Sequence, residues 1–345
     1  MAADKMAEPK AVAGLDEIRA LLRDLSGPDR AAAAQAAERE AQLAKPQGAL
    51  GRLEAIASWC ATWQGKYPPT ADHPRVALFA GSHAAAAASA ARTAQLVKNI
   101  VAGGAAVNQL CRIADADLRI YEMNLDQPVR DFTVEPAMSE DDGATAIAYG
   151  MMAVEPGVDL LAIGAMGIGS TTAAAALACA LFGGDASAWS DSSVASESGA
   201  VRRGVALHRD AARDPLDLLC RLGGREFAAI VGAAIAARRA RVPVLLDGYA
   251  ATAAAAVLFK ADASALDHCL VAQRAPAPGH RLLVERLGMV PLLDLGIGLD
   301  EAAGAALAIP LVKAAVACHR GMASFAEAGI DPGIDRGVGR RGAAP

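Results

Sequence analysis

The chain has 345 residues, 54% hydrophobic and 21% charged, with a formal net charge of −5. That length exceeds one small domain, and mild acidity without a long basic run excludes nucleic acid as the main partner. Six cysteines (Cys60, Cys111, Cys179, Cys220, Cys269 and Cys318) show neither zinc-ligand spacing nor a disulfide framework, which predicts reduced thiols in a soluble, cytoplasmic protein.

The first residues carry acids and lack a continuous apolar run, so no secretory signal is expected. Helices are predicted over 14–44, with Leu15, Ile18, Leu21, Leu22 and Leu25 spaced along the first. Lys45-Pro46 and Gly48 mark a turn, after which Leu50, Leu53, Ile56, Cys60 and Trp63 share one helical face. Short apolar or β-rich runs then recur between helical stretches: Arg75–Gly81, Leu118–Leu125, Val158–Gly164, Val242–Tyr249 and His268–Gln273. Apolar strands with long helical crossovers predict an α/β fold: a doubly wound, mainly parallel sheet with helices on both faces, binding ligand beyond the carboxyl ends of the strands. The apolar runs Phe227–Ala237 and Tyr249–Phe259 are too short to span a bilayer, so no membrane association is expected. From about residue 300 the chain is again helical, with a kink expected at Pro310, and the Gly/Pro/Arg-rich segment 331–345 is expected to be mobile. A large α/β domain over 71–300 and a smaller helical domain built from 1–70 and 301–330 are expected.

One stretch stands out chemically. "GAMGIGSTTAAAALACALFGG", Gly164–Gly184, follows an apolar run with glycines, then Ser170, Thr171 and Thr172, then an alanine-rich helix. Free backbone amides and hydroxyls at a helix N-terminus make an anion site, because glycine lets the backbone approach a phosphate and the helix dipole favours negative charge. No lysine follows, so it is not a Walker loop, and glycine used only for close strand–helix packing fits the same residues.

Collinear blocks carry a resemblance along most of the chain: "KPQGALGRLE" (Lys45–Glu54), "VALFAGSH" (Val76–His83), "TAQLVKNIVAGGAAVNQLC" (Thr93–Cys111), "GAMGIGSTTAAAA" (Gly164–Ala176), "DPLDLLCRLGGREFAAIVGA" (Asp214–Ala233), "VPVLLDGYAATAAA" (Val242–Ala255), "GMVPLLDLGIGLDEAAGAALA" (Gly288–Ala308) and "GMASFAEAGI" (Gly321–Ile330). With these the sequence resembles the nicotinate-nucleotide:dimethylbenzimidazole phosphoribosyltransferases of cobalamin biosynthesis. The resemblance implies transfer of phosphoribose from nicotinate mononucleotide to 5,6-dimethylbenzimidazole, giving α-ribazole phosphate and nicotinate. It implies Glu301 as the base that takes the benzimidazole proton. It places the phosphate and nucleotide at Gly167, Ile168, Gly169, Ser170, Thr171, Thr172, Asp247 and Gly248, and the acceptor base at Ser82, His83 and Leu299. It also implies a homodimer, with no metal and no cofactor.

Several motifs depart from the family pattern. The family's Gly-Glu-Met-Gly-Ile-Gly-Asn-Thr-Thr has Ala165 and Ser170 here in place of the glutamate and the asparagine, and Gly-Asp/Asn-His-Gly reads Gly81-Ser82-His83-Ala84. The glycine loop and lysine expected after Phe182 are missing, leaving Arg202 or Arg203 as substitutes for the charge. The family's Leu-Gly-Glu-Gly-Thr-Gly survives as Leu299-Asp300-Glu301-Ala302-Ala303-Gly304, and Glu-Pro-Gly-His as Ala277-Pro278-Gly279-His280. Asp247 fits a crevice-facing role or a turn before Gly248, and His83 and His280 each fit a site role or a buried structural one. His208, His268 and His319 receive no chemistry. A paralogue with weakened or lost catalysis that binds a nucleotide or aromatic base or partners an active homologue, or an enzyme with a changed acceptor, fits the altered turns as rival readings.

Overall fold

The computed structural model describes residues 4–5, 14–86, 89–191, 195–299 and 301–331. Asp300 lies outside the described residues, as does all of the segment 331–345, expected to be mobile, except residue 331. Among the described residues six strands form one sheet: β1 Asp4–Lys5, β2 Pro74–Ala80, β3 Asp117–Glu122, β4 Leu160–Met166, β5 Val244–Leu246 and β6 Cys269–Val271. Every pairing is parallel, in the order β1-β3-β2-β4-β5-β6.

All residues of β2 and β4 are buried, which is why these runs carry no polar alternation. Alternate residues of β4, Leu161, Ile163 and Ala165, join Ala77 and Phe79 of β2 in one core with helix Arg225–Arg239. The chain passes from β2 outward to β3, then returns to β4 on the opposite side of β2. The topological switch point of the sheet therefore lies between the carboxyl ends of β2 and β4, where open α/β sheets bind ligand.

Small residues set the spacing between the helices. Helix Glu140–Met151 packs on Arg225–Arg239 so closely that a Cβ on Gly150 would overlap the Ala229 carbonyl, and a Cβ on Gly232 would overlap the Ile147 carbonyl. The alanine runs of helices Ser170–Phe182 and Gly248–Ala261 are buried along nearly their whole length. Alanine here contributes helix propensity together with a short packing distance.

The chain divides into two compact units, one made of residues up to Ser26 with His73–Ile309, the other of Gly27–Asp72 with the chain from Pro310 onward. Helix Leu15–Arg23 goes with the sheet unit, since Leu15, Ile18 and Leu22 belong to the sheet-bearing core. Helix Ala303–Gly321 runs through Pro310 without interruption. It is the one described helix long and apolar enough to cross a bilayer by length and composition, and 56% of its apolar window is buried within the protein. In the second unit the turn at Lys45-Pro46 is held by the Lys45 ammonium, 2.7 Å from Glu40 and 2.6 Å from Glu54.

Gly232→Ala is expected to destabilise the fold by about 1–3 kcal/mol, because the added methyl meets backbone and not a movable side chain. Urea denaturation of the purified variant measures the loss.

Candidate active site

The loops leaving β2, β4, β5 and β6 lie along one edge of the sheet, because parallel strands all end on the same side. Gly81 donates its amide to the Met166 carbonyl (2.8 Å), tying the loop after β2 to the end of β4. Gly169, the residue before helix Ser170–Phe182, has φ 102°, a left-handed conformation that glycine adopts without strain. A side chain there would also meet the Cβ of His83 at 3.0 Å, so the two loops approach each other closely at the switch point.

A buried carboxylate–imidazole pair sits at that junction. Glu226, in the first turn of helix Arg225–Arg239, is 0% exposed, and its Oε1 lies 2.6 Å from His83 Nε2 and accepts the Ser170 hydroxyl at 2.9 Å. Burial pushes the Glu226 carboxyl up, but the charge of His83 and the hydrogen bonds from His83 and Ser170 outweigh it and hold the group below the usual carboxylate range. The arrangement is not a nucleophilic triad: carboxylate and hydroxyl both address the same imidazole nitrogen, with Ser170 Oγ 3.4 Å away, so none of the three groups relays to the next. Among the described residues Oε2 of Glu226 has no hydrogen-bond partner, and it fits against Gly81 and Gly224, where any Cβ would overlap it. His83 is thus a buried, paired residue.

Helix Ser89–Val101 reinforces the junction from the side. Ser89 Oγ accepts the His83 amide (3.0 Å) and donates to the Ile168 carbonyl (2.7 Å), while Thr93 Oγ1, one turn on, accepts the Ile168 amide (3.3 Å). The Ile168 amide is therefore engaged by protein. Ser82 directs its hydroxyl to the Leu125 carbonyl at 2.9 Å. Ser170 donates its amide to Gly167 (3.1 Å), whereas the amides of Thr171 and Thr172, in the first helical turn, have no intrahelical acceptor.

Beside that turn lies a cavity of ≈ 220 Å³ whose lining includes Gly169, Thr172, His83, Asp131, Glu197 and Arg203. Of the two arginines that the sequence offers as cations, Arg203 is the one in the lining. Thr172 donates its hydroxyl to Glu197 Oε1 at 3.1 Å.

The segment carrying Glu301 crosses the same edge. Asp247, at the end of β5 and 1% exposed, accepts the Gly304 amide on Oδ2 at 3.0 Å, and Gln273 beyond β6 donates to the Ile297 carbonyl at 3.0 Å. A Cβ on Gly164 of β4 would stand 2.6 Å from that of Ala302. Ala302 and Gly304 are thereby pinned to the sheet, and Glu301 is half-buried beside them. Burial raises its carboxyl above the usual range, and no cation pairs with it among the described residues. Ala302 has φ 63°, a left-handed conformation for a residue with a Cβ. Leu299 is 47% exposed.

His280 is structural: its Nδ1 accepts the Ala275 amide (3.0 Å), its Nε2 meets Thr252 Oγ1 (3.1 Å), and burial lowers its pKa to about 4. Ala165, where the family pattern has glutamate, lies in the core. Glu226, Ser89, Thr93 and Glu197 escaped the sequence reading. An acid in the first turn of a helix reads as a solvated partner of the dipole, and only the doublet Gly223-Gly224 just before Glu226 hinted at a crowded carboxylate.

A switch-point site with a helix N-terminus and a half-buried carboxylate fits a nucleotide-handling transferase. The family model described as Phosphoribosyltransferase (DBI_PRT) matches residues 25–330. A nicotinate-nucleotide–dimethylbenzimidazole phosphoribosyltransferase of Sinorhizobium medicae is 52% identical over 91% of this chain and 96% of its own length, and that of Agrobacterium fabrum is 51% identical over 92% and 96%. The crystal structure of the Thermus thermophilus protein of that name superposes with a TM-score of 0.80 at 34% identity, covering 88% of this chain and 99% of that one. The chain belongs to the nicotinate-nucleotide–dimethylbenzimidazole phosphoribosyltransferase family.

Two stability outcomes follow from this geometry. Glu226→Gln is expected to cost about 3–5 kcal/mol at neutral pH, since it breaks a buried pair. A carboxyl held low stabilises the fold fully above its unfolded pKa and loses that contribution as pH falls through its folded value, so the gap from wild type narrows in acid. Denaturant titrations at several pH values read both effects. Ala302→Gly is expected to stabilise by about 1 kcal/mol by removing the left-handed strain, read from the same denaturant midpoint.

Proposed function

We propose that this chain transfers the phosphoribosyl group of nicotinate mononucleotide to 5,6-dimethylbenzimidazole or a related base, releasing nicotinate and α-ribazole phosphate. The observation that carries this reading is Glu301: a half-buried carboxylate, raised by burial alone, on a segment pinned across the carboxyl edge of the sheet. The unprotonated benzimidazole nitrogen attacks C1′ of the ribose, and the C1′–N bond to nicotinate breaks. The bonding pair returns to the pyridine nitrogen, which leaves neutral and needs no acid. The benzimidazole N–H proton passes to Glu301, whose raised pKa makes it the stronger base.

For the donor's phosphate, the amides of Thr171 and Thr172 and the glycine turn at Gly167–Gly169 support a site at the start of helix Ser170–Phe182, with Arg203 at its side. The buried Ser170 and Ile168 amide act as supports of that turn, and Ser82 and His83 shape the neighbouring wall, the first held to the Leu125 carbonyl and the second to Glu226 through Nε2. Asp247 anchors the Glu301 segment through Gly304, with Gly248 opening the next helix. We take the enzyme to act as a cytoplasmic homodimer. The mostly buried thiols, none of them in a disulfide among the described residues, favour a reducing compartment, and the exposed apolar residues Val290, Leu295 and Leu299 favour self-association.

Purified protein supplied with both substrates is expected to release nicotinate. Glu301→Gln should slow that release by about 10²–10⁴-fold. The acid limb of kcat/KM should fall above the usual carboxylate range, because activity requires ionised Glu301 and its pKa is raised. Saturable binding of the mononucleotide with no nicotinate formed at high enzyme concentration would establish a binding protein instead.

A further inference from the structure

The cavity at the start of helix Ser170–Phe182 has an acidic wall. Glu197 is 6% exposed, and its two carboxylate oxygens receive the Thr172 hydroxyl at 3.1 Å and the Asp191 amide at 3.0 Å. Thr172 is the third residue of that helix, on the turn whose unpaired amides attract an anion. The protein thus brings a carboxylate of its own to the positive end of the helix. Asp131 lines the same cavity, its Oδ1 accepting the Thr133 amide at 2.8 Å, while the exposed Arg203 is the lining's arginine and His83 is committed to Glu226. A phosphate entering here meets two carboxylates in a partly desolvated cleft, where like charges repel far more strongly than in bulk water. A ribosyl donor without phosphate avoids that repulsion.

We propose that Glu197 sets donor choice: its carboxylate competes with the donor's 5′-phosphate for the N-terminal turn of helix Ser170–Phe182, narrowing the preference for a mononucleotide over the corresponding nucleoside. This deepens the transferase reading above and rests on it. The test compares kcat/KM for nicotinate mononucleotide and nicotinate riboside, each with 5,6-dimethylbenzimidazole, in wild type and Glu197→Gln. The ratio of mononucleotide to riboside is expected to rise about tenfold or more in the variant, chiefly through a lower KM for the mononucleotide. An unchanged or lower ratio overturns the proposal and leaves Glu197 as a tether for Thr172 and Asp191. Inorganic phosphate supplies a second readout, through thermal protection: Glu197→Gln should be protected at lower phosphate concentrations than wild type, and equal protection also overturns the proposal. If wild type turns over neither donor, the transferase reading fails, while the phosphate titration still decides whether Glu197 holds the anion position. Glu197→Ser replaces Glu197→Gln in both measurements if the latter does not fold.

Discussion

The buried pair of Glu226 and His83 is the constraint from which the rest of the site takes its shape. It joins the loop after β2, the first turn of the helix after β4 and the start of helix Arg225–Arg239, three segments that are distant in sequence. An ionised carboxylate in a dry core is tolerable only if charge and hydrogen bonds meet it, and these come from one imidazole and one hydroxyl. Glycine at positions 81 and 224 is the steric condition for that meeting, because the unpartnered oxygen of Glu226 occupies the space where side chains would be.

Much of the fold was legible because the sheet is buried on both faces. The runs of β2 from Val76 onward and of β4 are short, uninterrupted and apolar, set apart from the longer apolar helices by their length. Boundaries were less legible. The run Val242–Tyr249 yields a strand of three residues, since Asp247, still extended, is the N-cap and Gly248 already begins the next helix. Leu15, Ile18 and Leu22 announced an amphipathic helix, which its place at the start of the chain assigned to the smaller helical domain, whereas these residues lie in the sheet core.

The candidate site was legible by pattern and not by partner. The glycine turn and the helix start at Ser170 are readable locally, while Glu301 stands out only through its family motif. What the hydroxyls and acids do depends on contacts across long sequence separations. Ser170 and Thr172 look alike in sequence, yet one is locked to Glu226 and the other to Glu197. Neither acid betrays its role, because a carboxylate near a helix start is common on any surface.

The close crossing at Gly150 and Gly232 bears on how the enzyme responds to ligands. Two helices in backbone contact cannot slide along each other without steric collision, so helix Arg225–Arg239 behaves as a fixed rail carrying Glu226 at its head. Adjustment to donor or acceptor then leaves this helix in place and falls to the loops that surround it. The carboxylate beneath them stays put as a stationary reference point.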